Sequence, residues 1–402
     1  MHRVGPHQRF MVLEVIGSGS FSTVYRGFDT VTKDEVAIKM EPKSIKIPLL
    51  AHESRVYRNL ATSDAPIAAV PRVYWYGEEG EYSVLVLERL GPSLDHLLMH
   101  LTMRQGRQAM SLKTVLMIAD QVLEALRCVH RNGYVYRDIK PENCLIGMRG
   151  QAHRVYIVDY GLAKRYVDVC RMGQHVPMRE GKKLVGTAIF ASLNNHMGRE
   201  CSRRDDVESL GFMLTYLAMG KLPWMDVAVD DRLELYDAIK RGKIECGITH
   251  LCASLPDEFA AWFHHCRALS FAQQPDYAYL KQLILRCFIR HQLHFDRLYD
   301  WSRALSPQQR PFSMSLCDVE HRGFDWTTPP PPTPAAAAAS ASSPHTTTAT
   351  EDTNNQPHKR PRPLPAPPSQ ILPTTPSPQA AVAMDGGESP PDCGWGGGLT
   401  WG

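Results

Sequence analysis

The sequence lacks any apolar run long enough to cross a bilayer. The best candidate, Leu210–Met219, is much shorter than the roughly 20 residues that a membrane-spanning helix requires. The first residues contain no apolar core of the kind found in secretory signal peptides. The chain also lacks an excess of charge of one sign, because 45 Lys and Arg residues accompany 42 Asp and Glu residues. That balance argues against an electrostatic grip of the whole chain on nucleic acid.

Metal-binding and hydrolase patterns are missing as well. The ten cysteines are scattered, with no Cys-x-x-Cys pair and no histidines at zinc-finger spacing. No His-Glu-x-x-His motif and no Ser/His/Asp arrangement appears. Reduced thiols in an intracellular compartment fit this pattern better than disulfides or zinc ligands. We expect a soluble protein of the cytoplasm, the nucleus or both, with no membrane and no nucleic-acid partner.

Proline is unevenly distributed and marks a change of organisation near Trp326. Of the 30 prolines, 17 fall within residues 327–402, among clusters of Ala, Ser and Thr. Because such a segment has few aliphatic side chains to bury, it cannot offset its own ordering entropy, and we predict that it is disordered. The folded unit is predicted at residues 10–305, followed by an uncertain extension over 306–326.

The spacing of apolar residues changes along the folded unit, from the alternation of strands to the period of helices. Alternating apolar residues predict strands at 10–16, 23–28, 35–39 and 83–87. One short helix is predicted over 52–60, and the later period is helical, with a long helix capped by Ser111 and an apolar helix over 206–219. We therefore predict an α+β fold of two lobes, a small β-rich N-lobe over about 10–88 and a larger helical C-lobe over about 91–305.

A glycine-rich turn, Gly17-Ser-Gly19, lies between two predicted strands and not between a strand and a helix. That placement favours a hairpin that covers nucleotide phosphates over a dinucleotide-binding turn, although a plain tight hairpin has the same pattern. Lys39 ends the next strand, and Glu53 in the following helix is the best-placed carboxylate to hold it. Such a pair would fix the ammonium against the α- and β-phosphates.

The segment 136–143, here called the catalytic loop, reads Tyr-Arg-Asp-Ile-Lys-Pro-Glu-Asn and follows the end of the long helix. Phosphoryl transfer to a hydroxyl needs a carboxylate that accepts the proton, a role suited to Asp138. Lys140 can neutralise the γ-phosphate, and Asn143 offers an oxygen ligand to magnesium. Asp159, at the end of the next apolar strand, suits the main magnesium carboxylate.

Asp206 opens the second apolar helix, and two roles are open for it. Its carboxylate can cap that helix, and it can also accept backbone N–H groups of the catalytic loop. The glycine-rich hairpin, Lys39, the catalytic loop and Asp159 occur in one order on the element types that their roles require. This order predicts a protein-kinase fold with ATP and Mg²⁺ as cofactors.

Among protein kinases, the sequence resembles the casein kinase I family over about Phe10 to Trp301. The most specific match is the stretch from Leu184 to Asn194, where most protein kinases carry an Ala-Pro-Glu ending. The other similar segments are 88–94, 202–211, 222–224, 255–259, 275–280 and 295–301. The resemblance implies a serine/threonine protein kinase that transfers the ATP γ-phosphate to acidic or phosphorylated sites of protein substrates, and we expect it to be a monomer.

The resemblance also implies which residues bind ATP. Adenine would lie between Val24 and Ala37 above and Leu145 below, next to the backbone of Glu88 and Leu90. The full ATP-binding set is Ile16, Gly17, Ser18, Gly19, Ser20, Phe21, Ser22, Thr23, Val24, Ala37, Lys39, Glu88, Leu90 and Leu145. The catalytic set is Asp138, Lys140, Lys39 and Glu53, and the metal ligands are Asn143 and Asp159.

Three positions depart from the family pattern. Tyr136 replaces a histidine and Tyr160 replaces a phenylalanine, and we predict that these two rings stack with Tyr57 as an offset internal spine whose hydroxyls find partners or water. Ile189 stands where the family places an arginine that helps to bind an anion near the substrate groove. Lys182 still matches a basic position of that site, so the need for a phosphate upstream of the target is left open.

Two other functions fit the fold. A catalytically silent kinase-like scaffold would have lost a key Lys or Asp, whereas the complete set is present in this chain. A small-molecule phosphotransferase would lack the peptide platform that 161–194 resembles. In the predicted tail, 358–365 reads as a polyproline ligand for an SH3-type partner or as a nuclear-import patch. Phosphorylation of the many Ser and Thr residues of the tail is expected to favour autoinhibition.

Overall fold

The computed structural model describes residues 2–19, 21–61, 69–168, 173–227, 231–303 and 400–401. The chain divides into one unit formed by Met1–Ser313 with Pro391–Gly402 and a second unit over Met314–Pro390. Ser20, the extension over 306–326, the polyproline motif and the predicted tail, apart from residues 400–401, lie outside the described residues.

An antiparallel sheet forms the N-terminal part of the fold. Its strands are β1 (Arg3–Val4), β2 (Phe10–Ser18), β3 (Thr23–Asp29), β4 (Glu35–Pro42), β5 (Val73–Glu79) and β6 (Tyr82–Glu88). They pair in the order β1-β2-β3-β4-β6-β5, and helix α1 (Leu50–Ala61) lies between β4 and β5 in the chain. The predicted strands and the short helix are confirmed, and each is one to three residues longer than its sequence pattern.

Strand β4 positions the first functional side chain by its alternation. Val36 and Ile38 point to one face of the sheet, where they join a small buried cluster with Phe10. Ala37 therefore points to the opposite face, where it joins the main core, and Lys39 shares that face because successive side chains alternate. The two-residue period of a strand thus directs the ammonium group toward the cleft.

Helices build the rest of the described fold. They are α2 (Leu94–Gln105), α3 (Leu112–Arg131), α4 (Leu193–His196), α5 (Arg203–Met219), α6 (Arg232–Leu251), α7 (Asp257–Ala268) and α8 (Tyr277–Arg290). Ser111 caps α3 as predicted, since its side chain accepts a hydrogen bond from the Thr114 N–H. The α+β class, with a β-rich part followed by a helical part, is confirmed. None of the described helices has the length and apolar character needed to cross a membrane.

The predicted cap of α5 was wrong. The helix begins at Arg203, and its N-cap is Ser202 in a capping box with Asp205. This box satisfies the backbone donors at the helix start, so Asp206 is left with its other predicted role.

Short strand pairs carry the loops of the helical part. They are β7 (Tyr134–Val135) with β10 (Lys164–Arg165), β8 (Cys144–Ile146) with β9 (Val155–Ile157), and β11 (Val167–Asp168) with β12 (Gln174–His175). The pair β8–β9 leads from the catalytic loop to Asp159, and Val158 N–H donates to the Asn143 carbonyl. The two predicted magnesium ligands are thereby joined through the backbone.

Two residues near the end of the sequence pair with the sheet. Thr400–Trp401 forms a short strand, β13, which pairs antiparallel with Gly17 and Ser18 of β2. Strand β1 pairs with β2 at Phe10 and Met11, so the same edge of β2 near Gly17 is available to β13.

Candidate active site

A buried ion-pair cluster joins the sheet to the helical part. The Lys39 ammonium donates to Glu53 Oε2 at 2.7 Å and to Asp159 Oδ1 at 3.0 Å. Helix α1 presents Glu53 to β4 at the predicted position, and both side chains are nearly inaccessible. The predicted Lys39–Glu53 pair is confirmed, and Asp159 is a second partner of the same ammonium.

Burial and charge oppose each other in this cluster. Burial lowers the pKa of Lys39, but the carboxylates of Asp159 and Glu53 outweigh it, and the pKa lies above its ordinary value. Burial raises the pKa of Glu53 to about 7, against the opposing effect of Lys39. Burial also tends to raise the pKa of Asp159, but Lys39 outweighs it and the pKa is lowered. Asp159 is therefore held as an anion beside a fixed cation.

Asp206 fixes the backbone of the catalytic loop. Its two carboxylate oxygens accept the N–H groups of Tyr136 and Arg137, each at 2.7 Å. His130 lies 2.7 Å from the same carboxylate through Nε2 and 2.6 Å from the Tyr277 hydroxyl through Nδ1. These bonds hold Arg137 at a φ of 71°, which non-glycine residues adopt only when their surroundings enforce it.

Four donors surround the Asp138 carboxylate. Thr187 donates to Oδ1 through its N–H and its hydroxyl, both at 2.9 Å. Asn143 Nδ2 and Lys140 Nζ reach Oδ2 at 3.1 and 3.0 Å. Lys140 Nζ also lies 3.1 Å from the Thr187 hydroxyl. The carboxylate is thus held in a single orientation, facing the cleft.

Gly186 lets this arrangement form. Its φ is +83°, and a Cβ there would lie 2.3 Å from the Arg137 carbonyl oxygen and 3.0 Å from Asp138 Oδ1. Only glycine combines that backbone conformation with such a close approach. Sequence reasoning did not assign a role to Gly186 or Thr187, although both lie in the stretch that carries the family resemblance.

Among known protein families, the model described as "Protein kinase domain" matches residues 10–285. The chain belongs to this family. The match begins at the first residue of β2 and ends within α8, so it spans both the sheet and the helices that hold the catalytic loop. The predicted protein-kinase fold is confirmed.

The cleft of this kinase domain brings all four residues of the predicted catalytic set together. Its walls include three residues of the glycine-rich hairpin, which are Gly19, Phe21 and Ser22. They face the predicted catalytic and metal residues Lys39, Glu53, Asp138, Lys140 and Asp159. Sequence reasoning missed the other wall residues Glu41, Leu49, Gly161, Leu162, Gly186 and Thr187. Glu41 has a local role, because its carboxylate accepts the Leu49 and Leu50 N–H groups where α1 begins.

The residues predicted to surround adenine lie in the main core. Val24, Ala37, Leu90 and Leu145 are buried there, and Ile16 packs against them partly exposed. Glu88 ends β6, and its N–H donates to the Arg72 carbonyl. Gly17, Ser18 and Thr23 lie in the hairpin formed by β2 and β3. Their contact with adenine stays a prediction.

The donor set of the cleft fits a magnesium ion. Asn143 Oδ1 is buried and has no hydrogen-bond partner among the described residues, while the amide nitrogen of the same side chain is fully used. An orphaned amide oxygen together with the Asp159 carboxylate is the kind of oxygen donor set that Mg²⁺ accepts, completed by phosphates and water. Asn143 and Asp159 would hold the ion, as predicted.

Three tyrosines form the predicted internal spine of the kinase domain. The ring centroids of Tyr57 and Tyr160 are 5.0 Å apart, and those of Tyr136 and Tyr160 are 5.2 Å apart. The contact is confirmed, but both pairs are edge-to-face and not offset-stacked. The Tyr136 hydroxyl donates to the Val158 carbonyl, and the Tyr57 hydroxyl accepts from the Asp159 N–H. The buried Tyr160 hydroxyl has no hydrogen-bond partner among the described residues, so the expectation of a partner or a water for it stays a prediction.

Removing this orphaned hydroxyl is expected to stabilise the domain. Tyr160→Phe should raise the free energy of unfolding by about 1 kcal/mol. A buried hydroxyl without a partner loses its hydrogen bonds to water on folding and gains none in the protein. The measurement is urea unfolding. Tyr136→Phe is the control, since it loses a hydrogen bond and should lower the same free energy. A lower stability for Tyr160→Phe would show that its hydroxyl is satisfied.

Proposed function

We propose that this protein is an active serine/threonine protein kinase of the casein kinase I type, which transfers the γ-phosphoryl group of ATP to protein hydroxyls. One observation carries the proposal. Asp138 is oriented by Thr187, Lys140 and Asn143, while Lys39 is held by both Glu53 and Asp159. A silent scaffold has no need of both arrangements in one cleft.

The proposed chemistry follows from these positions. The substrate hydroxyl donates a hydrogen bond to Asp138, its oxygen attacks the γ-phosphorus, and the bond from that phosphorus to ADP breaks. The hydroxyl proton passes to Asp138 as the new P–O bond forms. Lys140, 3.0 Å from Asp138 Oδ2, supplies positive charge where the transferred group carries negative charge. Asn143 and Asp159 would hold magnesium, which would supply positive charge to the phosphates.

Selectivity for Ser and Thr is proposed from the pairing of Lys140 with Thr187 above Asp138, together with the resemblance to casein kinase I. The test uses three acidic peptides that differ only in a central Ser, Thr or Tyr. We expect turnover of the first two and no measurable incorporation into the third. Equal incorporation into the Tyr peptide would contradict the proposed specificity.

Preference for acidic sites is proposed from a basic pocket beside the 185–195 region. Its walls include five basic residues, which are Arg137, Lys164, Lys182, Lys183 and Arg199. Among the described residues of its walls, the one carboxylate is that of Glu200, which is paired with Lys164 at 2.8 Å. The excess positive charge favours Asp, Glu or phosphorylated residues in a substrate.

A phosphate upstream of the target residue is expected to raise kcat/KM only slightly above that for an Asp at the same position. Ile189 supplies no cation, its side chain packs against the core, and its carbonyl accepts from Trp224 Nε1 at 2.9 Å. Peptides with phosphoserine or Asp at the upstream position should therefore differ by less than about tenfold in kcat/KM, since one charge-assisted hydrogen bond is absent. A much larger preference for the phosphorylated peptide would show that another cation replaces the arginine.

The remaining properties are proposals from the sequence. We propose that the kinase is a monomer of the cytoplasm, the nucleus or both, and that the motif over 358–365 binds an SH3-type partner. Gel filtration and microscopy of the tagged protein test the first two. A pull-down with and without residues 358–365 tests the third.

A further inference from the structure

Lys243, on α6, is buried and is not among the described residues that line the cleft. The residue is 1% exposed, and its ammonium donates to the carbonyls of Ala188 and Ala191 at 2.9 and 2.5 Å. The same nitrogen lies 3.2 Å from His196 Nε2. Among the residues that the structure describes, no carboxylate pairs with it.

The surroundings of Lys243 make its burial costly. Its nitrogen lies over the rings of Phe212 and Trp224, at 4.7 and 5.2 Å from their centroids. Burial lowers the pKa of Lys243 well below its ordinary value, because the charged form loses its hydration. An amine in such a place is tolerated only where its hydrogen bonds are needed.

Those hydrogen bonds fix one short stretch of backbone, residues 187–192, here called the platform segment. Lys243 holds two of its carbonyls, His196 Nε2 lies 2.8 Å from the Ala188 carbonyl, and Trp224 Nε1 donates to the Ile189 carbonyl at 2.9 Å. The segment is neither helix nor sheet, so side chains from α6, α4 and the Trp224 turn replace regular backbone partners.

The platform segment begins at a contact of the catalytic carboxylate. Thr187 donates twice to Asp138 Oδ1, and its carbonyl accepts the N–H groups of Phe190 and Ala191. Lys243 donates hydrogen bonds to the carbonyls of Ala188 and Ala191, near the two ends of that turn. A shift of the segment at Lys243 would therefore move Thr187 relative to Asp138.

We propose that Lys243 is a positioning residue for the protein substrate, which acts by fixing the platform segment against the catalytic loop. The proposal rests on the proposed kinase function and adds a residue that neither the sequence nor the cleft assigns. Lys243 touches no reacting group, and Glu53 and Lys39, which face the nucleotide, lie on other elements. Loss of Lys243 should therefore lower turnover of the peptide substrate and leave the KM for ATP unchanged.

Helix α6 is built to bring Lys243 this close. The preceding residue is Gly242, and a Cβ there would lie 2.9 Å from the Trp224 Cβ. The absent side chain lets the helix approach Trp224, and both residues then reach the platform segment.

The test compares Lys243→Met with Lys240→Met in the full chain. Met keeps the length and apolar stem of Lys243 without its donors, and Lys240 is a more exposed lysine of α6 that pairs with Asp237 at 2.7 Å. For Lys243→Met we expect a drop of about tenfold or more in kcat/KM for a Ser peptide, because two hydrogen bonds are lost. The KM for ATP should stay within about twofold of the wild type, since the nucleotide contacts are unchanged. Lys240→Met should match the wild type in both.

Hydrogen–deuterium exchange of the same proteins gives a readout that does not depend on activity. In Lys243→Met, amides of the platform segment should exchange faster while those of α3 and α5 keep their rates. Faster exchange throughout the helical part, with peptide and ATP parameters falling together, would overturn the proposal in favour of a general loss of stability. Unchanged peptide kinetics in a folded Lys243→Met would overturn it as well.

A second variant covers the case in which Lys243→Met does not fold. Trp224→Phe keeps an aromatic ring but loses the donor to the Ile189 carbonyl, so it should weaken peptide turnover and speed exchange in the platform segment. No change in either readout would overturn the proposal. If the wild type itself turns over no peptide, the proposed function fails, and the exchange comparison alone decides the role of Lys243.

Discussion

Asp159→Asn is expected to lower kcat by about 10³-fold or more, because the metal site would lose the Asp159 carboxylate and with it several kcal/mol of charge stabilisation. The same substitution removes one of the two carboxylates that hold Lys39, whose ammonium lies 3.0 Å from Asp159 Oδ1. Asn preserves the shape of the side chain but not its charge. The measurement is steady-state turnover of a Ser peptide at saturating ATP and Mg²⁺.

Asp226→Asn is the matched control, since Asp226 is an exposed residue whose pair with Lys221 is also exposed. It should leave kcat unchanged. Thermal unfolding of both variants checks that the fold is retained. Turnover by Asp159→Asn close to that of the wild type would contradict the metal assignment.

Gly186→Ala is the second substitution with a large expected effect. The new Cβ would lie 2.3 Å from the Arg137 carbonyl oxygen, at a φ of +83° that L side chains rarely adopt. Either the catalytic loop or the Thr187 contact with Asp138 must move. A displacement of about 1 Å between reacting groups costs about 10²-fold in rate, and kcat should fall by at least that factor.

Gly150→Ala is the control for the added methyl group. No atom lies within 4 Å of the position that a Cβ would occupy at Gly150, outside its chain neighbours. This variant should keep the wild-type kcat in the same assay. Wild-type rates for Gly186→Ala would show that the loop accommodates the side chain, and would contradict the tight packing of the catalytic loop against Gly186.

Local chemistry was predictable from sequence where spacing along one element decides it. The strand pattern placed Lys39 at a strand end, and the short helix after it offered Glu53 as its partner, as the 2.7 Å contact confirms. The catalytic loop was readable for the same reason, since Asp138, Lys140 and Asn143 lie within six residues of one another. Their relation needs no knowledge of distant packing.

Roles that depend on distant segments were not predictable. Thr187 contacts Asp138 across 49 positions of the chain, and Lys243 reaches Ala188 across 55. In the sequence, Lys243 is one more lysine on a helix. The cap of α5 was misassigned because Ser202 and Asp206 are both residue types that begin helices. The tertiary hydrogen bond from the Tyr136 N–H to Asp206 decides between them.

The most direct test of the proposed function is phosphate transfer by the purified full-length chain and by Asp138→Asn. Each is incubated with radiolabelled ATP, Mg²⁺ and casein, and the labelled residues are identified. We expect label on Ser and Thr with the wild type and a rate about 10² to 10⁴-fold lower with Asp138→Asn, the range that a positioned general base contributes. A wild-type chain that binds ATP but transfers no label, or equal rates for the two proteins, would contradict the assignment of an active kinase that works through Asp138.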